Sequence, residues 1–194
     1  MHTEAASPAS GTTAEYPEAR WVSTPPSNYA RTSRQRTDVR WIVIHTTELP
    51  AADAIERLTD PAAKVSVHYL IARDGRVIQL LRNEDVSYSV GNMAYNRACI
   101  SIEHERYDGA EVTPLQLQAS RDLVRWLLAR FDVAPRILEG LAPADPAAGS
   151  GIIGHSQVPD LHHTARGGGE NHHTDPVHWD WAAYKALLLP PAHR

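Results

Sequence analysis

The feature that most limits the possible folds is a short apolar run that ends in a histidine. Residues 41–44 read WIVI, and His45 follows them directly. An unbroken apolar run of this length predicts a buried strand. A second short strand is predicted at residues 152–153, and His155 follows it after a single glycine. Both histidines therefore lie at strand ends, where folds commonly place functional groups.

A hairpin supplies the next constraint. Residues 66–72 (SVHYLIA) and 77–81 (VIQLL) are rich in residues that favour strands, and the segment between them contains Asp74 and Gly75. An Asp-Gly pair between two such runs predicts an antiparallel hairpin. Residues 99–103 (CISIE) predict a further strand.

Predicted helices alternate with these strands. A short helix is predicted at residues 50–58, and a final helix at 180–189 begins with an aspartate as its cap. The clearest helix starts after Thr113, because threonine is a preferred N-cap and Pro114 suits the first helical position. Interleaved strands and helices predict an α/β fold, and the antiparallel hairpin makes its central sheet mixed.

Length and composition bound the domain organisation. The chain has 194 residues, of which 42% are hydrophobic and 22% charged, which is ordinary for one globular domain with or without an arm. Residues 1–26 are rich in Ala, Ser, Thr, Pro and Glu and show little periodicity. We therefore predict an N-terminal arm or linker over residues 1–35 and a single folded domain over residues 36–194.

Charge and cysteine content exclude several classes of function. The formal net charge is -4, so the basic surface typical of nucleic-acid-binding proteins is absent. The single cysteine, Cys99, excludes an internal disulfide and any zinc site that needs two thiolates from this chain. No apolar run approaches the roughly 18 residues of a membrane span. We expect a monomer without a nucleic-acid partner and without a membrane span.

Histidine is unusually abundant in this chain, and its abundance indicates a chemical function. The chain has 11 histidines, and such an excess is typical of metal binding or acid–base work. His45, His155 and Asp175 are two imidazoles and a carboxylate, which a catalytic zinc uses as ligands while its fourth position holds water. The three residues are far apart in sequence. Spacing therefore leaves open the alternative that each histidine is structural or exposed.

Four sequence blocks, in this order, resemble a known family. They are WIVIHTTE from residue 41, SVHYLIARDGRVIQL from residue 66, VGNMAYNRACISIEHE from residue 90, and IIGHSQVPD from residue 152 with a following HHTDPVHWDW. They are similar to the blocks of zinc-dependent N-acetylmuramoyl-L-alanine amidases, relatives of the phage lysozyme-type amidases and of peptidoglycan recognition proteins. The resemblance spans residues 41–184. It implies a central mixed sheet flanked by helices, with zinc in a surface groove.

The resemblance assigns a metal site to named residues. His45, His155 and Asp175 fall on the family's zinc ligands. His173, two residues before the aspartate, falls on a position that is lysine or histidine in relatives. In this family His173 would stabilise the oxyanion by a hydrogen bond or by charge, and the alternative is a loop histidine that only holds the segment before Asp175.

The resemblance also assigns a proton-transfer residue. Glu103 falls on the catalytic glutamate of the family's bacterial branch, at the end of the predicted strand SIE. Glu105 is the adjacent alternative, whereas strand alternation turns His104 to the opposite face. Glu103 would take a proton from water and return it to the leaving amine.

The function that the resemblance implies is hydrolysis of the amide between N-acetylmuramic acid and the L-alanine of the peptidoglycan stem peptide. Zinc (Zn2+) would be the cofactor, and peptidoglycan or muropeptides the binding partner. Two alternatives stay open: a non-catalytic module of the same fold that binds peptidoglycan, and a zinc amidase that acts on soluble muropeptides. We expect a secreted, bacteriolytic enzyme of the cell wall whose leader is absent from this chain, and a phage lysis enzyme is the alternative.

The segment before the aspartate ligand is longer than in many relatives. Its three glycines, at residues 167–169, predict a mobile flap beside the metal. We interpret His162, His163 and His172 as exposed, with contact to zinc or substrate as the alternative. His68 in SVHYL is interpreted as a hydrogen-bonded core histidine rather than a ligand.

Overall fold

The computed structural model describes residues 13–107, 109–162, 166–169 and 172–189. Six strands form one sheet: β1 (Ala19–Trp21), β3 (Trp41–Thr46), β4 (Tyr69–Ile71), β5 (Val77–Gln79), β7 (Cys99–His104) and β8 (Gly151–Gly154). The remaining strands, β2 (Tyr29–Ala30) and β6 (Val86–Ser87), pair with each other in a separate antiparallel ladder. The helices are α1 (Ala51–Thr59), α2 (Met93–Ala98), α3 (Pro114–Arg130) and α4 (Trp181–Leu188), with 3-10 turns at Pro26–Asn28, Pro146–Ala148 and His155–Gln157.

The six-stranded sheet is mixed, as predicted, and its order is β1-β5-β4-β7-β3-β8. The four neighbouring strands β4, β7, β3 and β8 are parallel. The predicted hairpin is confirmed, because β5 runs antiparallel to β4. The carboxyl ends of parallel strands meet at the same edge of a sheet, where open α/β sheets usually bind ligands. The residues that end β3, β7 and β8 therefore come together.

Helices cover both faces of the sheet. On one face, Ile42, Ile44, Ile100 and Ile102 pack against α3 and α4, whereas Trp41, Val43 and Cys99 face α2 on the other side. The helix α1 covers β4 and β5 on this second face through Ala54 and Leu58. Burying a large aliphatic side chain stabilises the fold by about 1.5–3 kcal/mol, so these layers hold the strand ends in a fixed register.

Local sequence explains where the helices begin. Thr113 forms a capping box with Gln116, since each side chain accepts a hydrogen bond from the other residue's backbone N–H, at 3.1 and 3.0 Å. Asp180 caps α4 by accepting a hydrogen bond from the Ala183 N–H, as predicted. The helix α2 was missing from the sequence prediction. Asn92 caps it, but six residues are too few to show a helical period.

The N-terminal region contributes to the sheet. Residues 1–12 lie outside the described part of the chain. After them, Tyr16 is buried and packs edge-on against Trp126 of α3, and β1 adds an edge strand parallel to β5. The division of the chain at residue 35 stays a prediction. Within the described ranges, no helix is long and apolar enough to cross a membrane.

Candidate metal centre

Three buried donor side chains converge at the carboxyl end of the sheet. His45 is the penultimate residue of β3, His155 follows β8 directly, and Asp175 lies in the segment before α4. Their exposed fractions are 2%, 1% and 8%. The three ligand atoms all lie within 4.8 Å of one another. The structure thus brings together the three residues that the sequence predicted as zinc ligands.

The contacts of Asp175 fix the geometry of this cluster. Its Oδ2 lies 2.9 Å from Nδ1 of His45 and 3.1 Å from Nδ1 of His155. Its Oδ1 accepts hydrogen bonds from the Thr46 N–H at 2.8 Å and from the Thr46 hydroxyl at 3.2 Å. Thr46 therefore orients the carboxylate. The sequence analysis did not single it out, although it follows a predicted ligand directly.

The donor set fits a zinc ion. Two imidazoles and a carboxylate are ligands that zinc prefers, and tetrahedral donors about 2.0–2.1 Å from an ion are roughly 3.3 Å apart. The distances from Asp175 to the two rings are close to that value. The ring nitrogens that face Asp175 are Nδ1 of His45 and Nδ1 of His155. These two atoms and Oδ2 of Asp175 are therefore the candidate ligand atoms.

The charges of the cluster are tightly linked. Burial acts to lower the pKa of His45, but the hydrogen bond to Asp175 and its negative charge outweigh burial and raise it. Burial lowers the pKa of His155 to about 4. Burial acts to raise the pKa of Asp175, yet the hydrogen bonds to the two histidines hold it well below its ordinary value. The carboxylate therefore stays ionised beside a neutral His155, as metal binding requires.

Glu103 lies beside the cluster because of the strand register. His45 of β3 is paired with Glu103 of the parallel strand β7, so both side chains lie on the same face of the sheet. The Oε2 of Glu103 is buried without a hydrogen-bond partner among the described residues. Burial raises the pKa of Glu103, and the charge of Asp175 adds to this effect. An unpartnered carboxylate with a raised pKa is suited to proton transfer.

The neighbours of Glu103 have structural roles. Glu105 accepts hydrogen bonds from the Ala51 N–H at the start of α1 and from the Arg73 N–H, at 2.9 and 2.8 Å. His104 lies on the opposite face, where its Nε2 is 2.8 Å from the Ser120 hydroxyl. These contacts favour Glu103 over Glu105 as the proton-transfer residue.

A groove of about 380 Å³ lies over the cluster. Its lining includes His45, His155, Asp175 and Glu103, and one wall is formed by α1 and the segment that follows it. The other lining residues are Thr46, Thr47, Glu48, Leu49, Ala54, Arg57, Leu58, Val65, Ser66, Val67, Tyr88, Ser89, His172, Thr174 and Val177. Polar groups at the floor and apolar side chains along one wall are typical of a substrate site.

The two adjacent histidines before Asp175 are placed differently. His172 lines the groove and its ring stacks on His155, with 4.6 Å between the ring centroids and an interplanar angle of 18°. Both residues are exposed, as predicted for His172. The Nδ1 of His173 lies 2.5 Å from the Gly167 carbonyl oxygen, and His173 is not among the lining residues. The oxyanion role of His173 stays a prediction, and the structure brings His172 to the groove instead.

The glycine-rich segment is closely packed where the structure describes it. A Cβ atom at each of residues 167–169 would overlap, in turn, the carbonyl oxygen of Ser156, the backbone of His172 and the carbonyl oxygen of Val90. The Gly168 carbonyl also accepts a hydrogen bond from the His172 N–H at 2.9 Å. Close packing is therefore one reason for glycine here, and the mobility of this segment stays a prediction. His163 lies outside the described residues.

His68 is a structural histidine, as predicted. It is fully buried, its Nδ1 accepts a hydrogen bond from the Ser101 N–H at 3.2 Å, and its Nε2 lies 3.1 Å from the Asp85 carbonyl oxygen. Burial lowers its pKa well below the ordinary value, and the nearby Arg34 guanidinium adds to this effect. Both ring nitrogens therefore have partners, whereas in His45 and His155 only Nδ1 has one.

Comparison with known proteins agrees with this geometry. The profile of the N-acetylmuramoyl-L-alanine amidase family matches residues 35–178. The chain is 29% identical over 181 residues to N-acetylmuramoyl-L-alanine amidase A of Achromobacter lyticus, covering 90% of this chain and 95% of that protein. It is 26% identical over 138 residues to the 1,6-anhydro-N-acetylmuramyl-L-alanine amidase AmpD of Citrobacter freundii, covering 68% and 61% of the two chains.

Solved structures share the fold. A selenomethionine derivative of AmpD aligns with a TM-score of 0.62 at 22% identity, over 89% of this chain and 95% of that one. The structure of PlyL aligns with a TM-score of 0.57 at 18% identity, over 88% and 96% of the two chains. The resemblance carried by the four sequence blocks is thereby confirmed. Because the family profile covers most of the chain, the protein belongs to the N-acetylmuramoyl-L-alanine amidase family.

Proposed function

We propose that this amidase hydrolyses the amide between N-acetylmuramic acid and the L-alanine of the peptidoglycan stem peptide, with one zinc ion held by His45, His155 and Asp175. One observation carries the proposal: three buried donors of the type that zinc prefers converge within 4.8 Å at the floor of a groove. Bound there, zinc supplies a Lewis acid that polarises a carbonyl group and lowers the pKa of water.

Glu103 is the proposed general base and general acid. Its buried Oε2 has no hydrogen-bond partner among the described residues, so it is available to accept a proton from the attacking water. The same carboxyl group would return that proton to the amine of L-alanine as the carbon–nitrogen bond breaks. The pairing of Glu103 with His45 supports this role, because it holds the carboxylate next to the proposed metal ligands.

Oxyanion stabilisation has two candidate donors. The resemblance assigns this role to His173, whereas the geometry supports His172, which lines the groove and stacks on His155. The contact between His173 and Gly167 supports the structural alternative, in which His173 holds the segment before Asp175. Variants at both positions, measured at saturating zinc, separate the two roles.

The proposed place of action is the bacterial cell wall, outside the cytoplasm. Support comes from the N-terminal segment, whose Ala, Ser, Pro and Thr content resembles the linkers of exported wall proteins. A secreted, bacteriolytic enzyme is the first proposal, and a phage lysis enzyme is the second. Soluble muropeptides are the alternative substrate, because one relative is named as a 1,6-anhydro-N-acetylmuramyl-L-alanine amidase.

One experiment tests these proposals together. The zinc-loaded protein is incubated with intact sacculi and, separately, with soluble muropeptides, and new amine termini are identified by mass spectrometry. A new L-alanine terminus from sacculi supports the cell-wall function. Release from soluble muropeptides alone supports the alternative substrate, whereas binding without cleavage indicates a non-catalytic module.

A further inference from the structure

We propose that Arg57 is a specificity-determining residue, which binds a free carboxylate on the stem-peptide residue that follows L-alanine. The inference rests on the proposed function, because it names the part of the substrate that the α1 wall of the groove recognises. It concerns a residue that neither the sequence blocks nor the metal cluster includes.

Arg57 occupies a particular place in the groove. It lies in the last turn of α1, and it is exposed. Of the residues that line the groove in the described part of the protein, it is the only arginine or lysine. Its guanidinium is therefore the one permanently charged basic side chain among the described lining residues.

Two of the acidic groups of the groove already have protein partners. Glu48 is paired with Arg106 at 3.3 Å, and Asp175 contacts the two histidine ligands. For the guanidinium of Arg57, in contrast, the described residues provide neither a hydrogen bond nor an ion pair within 4.0 Å. This holds even though Asp53, Glu56 and Asp60 share its outer surface. The positive charge is thus available to a ligand from the groove side.

The chemistry of the substrate decides which group meets Arg57. N-acetylated sugars of the glycan are uncharged, whereas the stem peptide carries carboxylates. Ala54, Leu58 and Val67 form an apolar wall next to Arg57, which suits the methyl group of L-alanine. A guanidinium binds a carboxylate through two parallel hydrogen bonds, so the carboxylate just beyond L-alanine is the complementary group.

The electrostatics place Arg57 near the metal cluster. Burial is the main cause that lowers the pKa of His172, and the positive charge of Arg57 contributes to the same effect. The two side chains are therefore close enough for their charges to interact. His172 stacks on His155, and both residues line the same groove as Arg57.

A purely structural role for Arg57 makes a different prediction. A basic residue in the last turn of a helix interacts favourably with the helix dipole. In that case its loss would reduce thermal stability slightly and would change the hydrolysis of all substrates equally. The readout must therefore be the discrimination between two substrates rather than activity alone.

The experiment uses two synthetic muropeptides that are identical except at the residue after L-alanine, which carries either a free carboxylate or the isosteric carboxamide. Values of kcat and KM are measured for the wild type, Arg57→Gln and Arg57→Lys, all loaded with zinc. Glu56→Gln is the matched control, because it changes the charge of the same helix outside the groove.

The expected result is a wild-type preference for the carboxylate of about 10-fold or more in kcat/KM, the scale of one charge-assisted hydrogen-bond pair. The preference should arise from KM, should vanish in Arg57→Gln, should persist in part in Arg57→Lys and should be unchanged in Glu56→Gln. Equal hydrolysis of both substrates by the wild type, or an undiminished preference in Arg57→Gln, would overturn the inference. Absence of hydrolysis of either substrate would instead count against the proposed function.

Discussion

Glu103 and His104 are neighbours in one strand and lie on opposite faces of the sheet, and their buried polar atoms differ in whether they have hydrogen-bond partners. On the groove face, Oε2 of Glu103 and Nε2 of His45 are buried without hydrogen-bond partners among the described residues. On the other face, His104 is joined to Ser120 at 2.8 Å, and Ser120 to the Tyr184 hydroxyl at 2.7 Å. Satisfied polar atoms stabilise the fold, whereas unsatisfied ones are retained for binding and chemistry.

The largest effect should come from breaking the cluster on the groove face. His155→Ala removes one of the three proposed zinc ligands, so zinc occupancy should fall at low free metal. Activity should drop by more than about 10³-fold, since a metal contributes several kcal/mol to the transition state. Elemental analysis measures the zinc occupancy. Activity assays after chelation, and again after zinc is added back, measure the loss of activity. Full zinc occupancy in His155→Ala would show that the ligand assignment is wrong.

Comparing Glu103 of β7 with Glu105, which follows the strand directly, separates a role in catalysis from a role in stability. Glu103→Gln should retain zinc and lose about 10²–10⁴-fold in kcat, the scale of general acid–base catalysis. Glu105→Gln should retain much more activity but lose about 1–3 kcal/mol of unfolding free energy, because two backbone N–H groups lose a carboxylate acceptor. Wild-type kcat in Glu103→Gln would move the proton-transfer role elsewhere.

Variants of His172, which lines the groove, and of its neighbour His173, which does not, sharpen the comparison. At saturating zinc, His172→Ala should lose about 10²–10³-fold in kcat if its ring donates to the oxyanion, whereas His173→Ala should mainly weaken zinc binding. His173→Lys is the additional test, because lysine occupies this position in relatives. A large kcat loss in His173→Ala that lysine rescues would return the oxyanion role to His173.

On the opposite face of the sheet, a substitution should lower the free energy of unfolding and leave zinc binding unchanged. Ser120→Ala leaves the buried polar groups of His104 and Tyr184 without their shared partner, which should cost about 1–3 kcal/mol of unfolding free energy. Urea denaturation measures this loss, and zinc content serves as the second readout, with the exposed Ser33→Ala as control. Loss of zinc from folded Ser120→Ala would contradict the separation of the two faces.

The smallest effect should be a pH dependence that arises from His68. Its pKa is lowered in the folded state by burial, so below the unfolded value the unfolded chain binds a proton that the folded chain does not. The contribution of His68 to stability is therefore complete above about pH 6.5 and should decline as the pH falls below that value. His68→Gln, compared with the wild type by urea denaturation at each pH, should show a shallower decline. Equal declines of the unfolding free energy with pH in the two proteins would contradict the assignment to His68.

Some of the fold and site is predictable because short-range physics dictates it. The apolar run before His45, the Asp-Gly hairpin and the Thr113 cap each specify a local structure within a few residues. The six residues of α2 and the edge strand β1 were missed, because neither contains enough residues to show a period. The three ligands and Glu103 were identified from the resemblance, and the structure brings them together.

Tertiary structure alone decided which buried groups have partners. The sequence determined the residue types, the order of the elements and, through strand alternation, that Glu103 and His104 face opposite sides. It did not determine that His45 pairs with Glu103, that His172 rather than His173 reaches the groove, or that the three glycines are packed against carbonyl oxygens. Those facts depend on strand register and on contacts between residues more than a hundred positions apart in some cases, such as Thr46 with Asp175. Such contacts form only when the whole sheet and its helices pack together, so no local pattern encodes them.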